Sequence, residues 1–214
     1  MSHSAHRCGT VKNLQNDYTI YARTSRFVNR QGCGPKLRKI LEILLAEKPV
    51  NFGSSHSGKS FAAGLDPKEY AESLDKAYAV ACCFSDRSAV RNVLEKLKEA
   101  DTGISIVVSG LIDEVRNVAW ELDLKPHSVL LSLGIYGRKE LLPEEKILEV
   151  TTMCGHGLIA THLVEDVMDK VKAGDLTPEK GAKFLAQPCP CGIFNLHRCI
   201  EILKDSSITD SENE

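Results

Sequence analysis

The stretch Tyr78-Ala79-Val80-Ala81-Cys82-Cys83-Phe84-Ser85-Asp86 decides the reading of the fold. A short apolar run closed by a Ser-Asp pair describes a buried strand. Ser85 or Asp86 then caps a helix through Ala100, with Val90, Val93, Leu94 and Leu97 at helical spacing. Ile104 to Val108 reads as a second strand and Leu111 to Leu122 as a second helix. Val129 to Leu133 reads as a third strand. Strand–helix–strand–helix–strand with short connections predicts an α/β fold built on a short parallel βαβαβ layer.

Outward from this stretch the pattern is weaker. Asp17 to Val28 partly alternates, with Tyr18, Ile20 and Ala22 on one face, as a strand does. Pro35 opens an amphipathic helix carrying Leu37, Ile40, Leu41, Leu44 and Leu45. Residues 48–67 are rich in Gly, Ser and Pro and read as a long loop. Beyond Pro143 the spacing predicts a helical C-terminal part, with helices near 143–150, 156–173, 177–186 and 193–204. The expected organisation is a flexible N-terminal tail (1–16), an α/β domain (17–142), a helical Cys-rich part packed on it (143–205) and an acidic disordered tail (206–214).

With 214 residues, 43% of them hydrophobic, the chain can bury a core without disulfides or metal. Its eight cysteines are the compositional oddity. No apolar run is long enough to span a membrane, and no apolar segment follows Met1–Arg7 as in a secretory signal. The expected location is therefore cytoplasmic, where cysteines point to metal or redox chemistry. Residues 1–40 hold eight Lys and Arg against the single acid Asp17, a local charge of +7, which leaves −9 for the rest. Such a segment docks on a protein partner or an anion, or packs on the chain's own acidic surface. It lacks the aromatic interleaving of single-strand binders, which argues against a nucleic-acid partner.

Gly53-Ser54-Ser55-His56-Ser57-Gly58-Lys59-Ser60 matches the phosphate-loop letters GxxxxGK[ST]. A phosphate loop needs a buried strand before it and a helix after it. Here Glu47 to Phe52 is short and polar, and Gly64 and Pro67 interrupt any helix after Lys59. A P-loop-like nucleotide binder is thus a minor reading, and a looser anion site at Lys59 a weaker one.

The cysteines of the last third carry more. Cys189-Pro190-Cys191-Gly192 presents two thiols from a proline-stiffened turn, and Gly192 lets the chain turn sharply into the next helix. Cys191, Asn195 and Cys199 fall at i, i+4 and i+8, with Arg198 beside them. Cys154-Gly155-His156-Gly157 precedes an apolar helix that Thr151 or Thr152 can cap. That places Cys154 at a helix start, where the dipole lowers its pKa. Gly155 and Gly157 would let a ligand or cluster approach the backbone closely. Cys154-Gly155-His156 resembles, over these few residues, the helix-N-terminal cysteine of diaminopimelate-epimerase-like isomerases. The βαβ pattern differs from that fold, and no function is carried across.

Four soft ligands, Cys154, Cys189, Cys191 and Cys199, suit an iron–sulfur cluster of the 4Fe-4S type, with zinc as the alternative. His156, Asn195 and Arg198 would surround it as catalytic groups. Tyr136 and Arg138, between Gly134 and Gly137 after the third strand, would bind a small anionic substrate. The expected function is an iron–sulfur protein, redox or cluster-dependent, with homo-oligomerisation open. The alternatives are a metal-free thiol enzyme using Cys154 and Cys191, or a zinc-stabilised binding module.

Overall fold

The fold is that of a computed structural model, which describes residues 6–54, 56 and 58–208. The first half holds α1 (Val11–Leu14), β1 (Tyr18–Arg23), α2 (Gly34–Ala46), β2 (Asn51–Ser54), β3 (Lys59–Ser60) and α3 (Pro67–Ser73). It continues with β4 (Ala79–Phe84), α4 (Arg87–Ala100), β5 (Ser105–Ser109) and α5 (Ile112–Glu121). The C-terminal helices are α6 (Glu145–Thr151), α7 (Thr161–Lys172), α8 (Pro178–Ala186) and α9 (Leu196–Ile208). None among the described residues is long and apolar enough to cross a membrane.

Helix and strand mix as expected, but the sheet corrects the predicted parallel layer. Among the described residues it has five strands in the order β3-β2-β4-β1-β5, and every neighbouring pair is antiparallel. β4 and β5 do run in the same direction across α4, so the local pattern is that of a βαβ unit. β1 fills the gap between them, pairing Ile20 with Cys82 on one side and with Val108 on the other. In the same way β4 lies between β1 and β2. Two split βαβ units therefore interlock, each supplying the strand the other leaves out.

Two further expectations change. Residues 48–67, expected as a loop, contain β2 and β3, a hairpin with Phe52 as its one large apolar side chain in β2. Val129–Leu133, expected as the third strand, is neither helix nor strand and stands exposed to solvent.

The sheet is covered on both faces. Ile20, Ala22, Val80, Cys82 and Phe84 pack toward α2 and α4, meeting Leu37, Leu41, Val90 and Val93. Ala81 and the half-buried Tyr21 face the other way, toward the core of α6–α9. The continuous apolar run of β4 is thus explained by a central strand with both faces covered.

The N-terminal segment docks rather than frays. Arg7, nearly fully buried, donates to the Asp17 carboxylate and to Ile193 O. Arg198 Nη1 of α9 donates to the same carboxylate at 2.8 Å, and its Nη2 to Cys8 O. At the other end α9 continues to Ile208 with Ser206 buried; residues 1–5 and 209–214 of the expected tails lie outside the described residues. Asp17 is thus one carboxylate shared by two buried guanidiniums. Removing its charge strands both, a cost of about 3–5 kcal/mol. Urea unfolding of Asp17→Asn is expected to show a loss of that size. Arg38→Ala, which breaks only an exposed pair with Asp75, is expected to lose about 1 kcal/mol or less.

Candidate functional site

Two loops on the sheet face opposite α2 and α4 bring the C-terminal thiols together. The first unwinds from α6: Cys154 N donates to Thr151 O at 3.2 Å, and Gly157 N closes the turn on Cys154 O at 3.0 Å. Gly157, at φ +65°, takes the left-handed conformation that suits glycine. Cys154 therefore sits in the turn that ends α6, well before α7 begins at Thr161, and not at a helix start. The expected dipole effect is absent. Its thiol is pushed up, not down, because it donates to Cys189 and is buried.

The second loop joins α8 to α9. Cys189 N donates to Ala186 O at 3.0 Å, and Gly192, at φ +66°, turns the chain. α9 begins only at Leu196, so Cys191 does not share a helical face with Asn195 and Cys199. The loop rests directly on β2. A Cβ on Gly192 would overlap the Phe52 carbonyl carbon, and one on Gly53 would come 2.5 Å from Pro190 O. Asn51 Nδ2 donates to Phe194 O at 2.9 Å, and Tyr70 Oη, donating to Gly53 O at 2.5 Å, holds β2 from behind.

This seating explains the phosphate-loop letters. Gly53 is glycine because another backbone crosses it, and Gly58 N closes the hairpin on Ser54 O at 2.9 Å. Lys59 pairs with Glu69 at 3.1 Å on the surface. The chain then enters a short 3₁₀ turn at Phe61–Ala63, not a phosphate-facing helix.

The four groups now form a chain of contacts. Cys154 hydrogen-bonds Cys189, Cys189 Sγ lies 3.7 Å from Cys191 Sγ, and Cys191 Sγ lies 3.7 Å from His156 Nδ1. Backbone amides point at each sulfur: His156 and Leu158 N–H at Cys154, Phe194 N–H at Cys189, and Ile193 N–H at Cys191. Such N–H···S bonds favour thiolates. Cys191 is lowered because Cys189 donates to it, against the cost of burial and with help from Ile193 N–H. All three sulfurs are buried, while His156 reaches the surface. The contacts are pairwise: among the described residues no ready-made group of three or more His, Cys, Asp or Glu side chains for a metal ion is present.

The remaining candidates lie elsewhere. Cys199 is fully buried, and burial raises its thiol against the opposing charge of Arg198. Asn195 caps α9 by accepting from Arg198 N at 3.0 Å, and its Nδ2 donates to Asp17 Oδ1 at 3.0 Å. Asn195 and Arg198 thus serve the buried carboxylate rather than the sulfurs. Tyr136 and Arg138 lie on the exposed stretch before α6, where Tyr136 Oη donates to Leu133 O at 2.7 Å. Cys82 and Cys83 face opposite sides of the sheet, as alternation requires. Cys83 donates to Asp17 Oδ1 at 3.9 Å, and burial followed by the Asp17 charge pushes it up to about 12.

Sequence reasoning missed Asp17 and Arg7. The signal was present: Asp17 is the single acid in a strongly basic segment. Arg7 lies within electrostatic reach of both Cys83 and Cys189, so the surplus positive charge of the Asp17 cluster borders the thiols.

No family model matches the chain, and no curated protein and no solved structure matches it either. The chemistry of the site is therefore read from its geometry.

Gly53→Ala is expected to displace the C-x-C loop or to cost about 1–3 kcal/mol or more by overpacking. Lys59→Ala, in an exposed ion pair, is expected to stay within about 1 kcal/mol of the parent. Thermal and urea unfolding of the two variants checks both. A phosphate-loop reading expects the opposite emphasis, with Lys59 the critical residue.

Proposed function

We propose that Cys154, Cys189, Cys191 and His156 hold one tetrahedral metal ion, zinc by its ligand chemistry, and that the chain is a metal-fastened binding module. The observation that carries this is the spacing of the donors. Two thiolates on one tetrahedral ion with bonds of about 2.3 Å lie about 3.8 Å apart, and a thiolate and an imidazole nitrogen slightly closer. The Cys189–Cys191 and Cys191–His156 separations are both 3.7 Å. The amides directed at the sulfurs supply the outer hydrogen bonds that metal thiolates require. Three thiolates on a divalent ion carry one net negative charge, and the surplus cation at Arg7 and Arg198 lies on the side that balances it.

A 4Fe-4S cluster on Cys154, Cys189, Cys191 and Cys199 is the competing assignment. A cubane takes one thiolate per iron and so needs four well-separated sulfurs. The close Cys189–Cys191 pair and the separate burial of Cys199 beside Arg198 favour the single ion. The ion's work is fastening. It would tie the α6–α7 loop to the α8–α9 loop, and through Gly192 and Gly53 to the sheet. The energy of ligation then becomes folding energy.

Metal analysis after strictly anaerobic purification tests the proposal. The expected result is a colourless protein with about one zinc per chain, retained in Cys199→Ala and lost in Cys191→Ser. Chelation is expected to lower Tm. Brown protein with iron and acid-labile sulfide, lost in Cys199→Ala, would establish the cluster instead. Protein free of any metal would overturn both.

A further inference from the structure

Residues Ser128-Val129-Leu130-Leu131-Ser132-Leu133-Gly134-Ile135-Tyr136 carry no charge and form neither helix nor strand. Their six large apolar side chains stand in solvent, from 45% exposed at Ile135 to 84% at Leu133. Together these residues expose on the order of 700 Å², backbone and the Tyr136 hydroxyl included, on the scale of the largest apolar patch of a typical monomer. The composition is that of a strand: β-branched and aliphatic residues ended by glycine.

The same chain has an open place for a strand. β5 ends the sheet and pairs on one side only, with β1. Exposed sheet edges are ordinarily blunted by charges, proline or a bulge. Ser105-Ile106-Val107-Val108-Ser109 has none of these, and its register with β1 runs unbroken from Ser105 to Ser109. One face of the edge is apolar, and the other carries Val107 between Ser105 and Ser109. Ile106 and Val108 pack on the α2–α4 core, while Val107 is exposed on the other face.

We infer that a second copy of this chain covers this edge, each copy laying residues 129–133 along β5 of the other. Among the described residues the chain supplies both halves of one pairing and pairs neither with the rest of itself, which is the condition a two-fold exchange satisfies. The alternation fits as well. Val129, Leu131 and Leu133 on one face of the added strand would extend the core over Ile106 and Val108, leaving Leu130 beside Val107. Val129, Leu130, Leu131 and Leu133 expose on the order of 450 Å² per copy, so exchange in both directions covers on the order of 900 Å² of them, which with the β5 surface beneath reaches the roughly 1,000 Å² a specific interface needs. The pairing does not depend on the metal centre, which lies on other loops.

Sedimentation equilibrium of the full metal-loaded chain, with hydrogen exchange on the same sample, tests this. The expected result is a dimer with slow exchange at residues 129–133. Leu131→Asp, a change at an exposed side chain, is expected to halve the molar mass and release that protection while leaving metal content unchanged. Val107→Lys, which puts a charge on the exposed side chain of the edge strand, is expected to do the same. A wild-type monomer overturns the inference, whether or not its 129–133 amides are protected. So does a dimer that survives both substitutions, or binding to phosphatidylcholine vesicles in place of self-association.

Discussion

The Asp17 carboxylate, without solvent contact, accepts hydrogen bonds from Arg7, Arg198 and Asn195. Removing three charges from water is costly, and such a cluster persists only when geometry and hydrogen bonding are nearly complete. Here they are. Arg7 also reaches Ile193 O, Arg198 reaches Cys8 O, and Asn195 reaches Asn16 O. The cluster joins the N-terminal segment, the start of β1 and the start of α9. Through it the helical layer is seated on the sheet in one register, and the loop that carries Cys189 and Cys191 is fixed immediately before α9. A hydrophobic contact of the same area would hold the layers together without fixing that register.

A second constraint acts where the C-x-C loop meets the sheet. Backbone lies on backbone at Gly53 and Gly192, closer than any side chain permits. This brings the sulfurs over the sheet and leaves their amides directed inward. Two glycines that look like parts of separate motifs are therefore one contact seen from its two sides. The proposed ion would also couple to the buried cluster: Arg7 lies within electrostatic reach of Cys189, and three thiolates on one divalent ion would carry one net negative charge.

Much of the layout is legible in periodicity. The apolar spacing of α2 and α4, the buried run of β4 and the proline-opened helices are local features, and the structure places them within a few residues of where the pattern does. β2 is not legible, because Asn51, Gly53 and Ser54 are buried for hydrogen bonding and close approach rather than for apolar contact. The threonines before Cys154 suggest a helix start, whereas in the fold they end α6. Helical spacing groups Asn195 and Arg198 with the thiols. Their partner is 178 residues or more away in the chain, and spacing carries no information about that distance.

By itself the sequence determined that the chain alternates helix and strand, that several helices follow with four cysteines among them, and that Cys189 and Cys191 sit on a proline-stiffened turn closed by Gly192. Those properties follow from local conformational preference and hydrophobic period. Only the tertiary structure decided that β1 slips between β4 and β5 and makes the sheet antiparallel. It also decided that His156 rather than Cys199 meets the sulfurs, and that Asn195 and Arg198 belong to Asp17. Each of these depends on which distant surfaces bury one another, and strand partners and buried-charge partners are chosen by that packing, not by spacing along the chain.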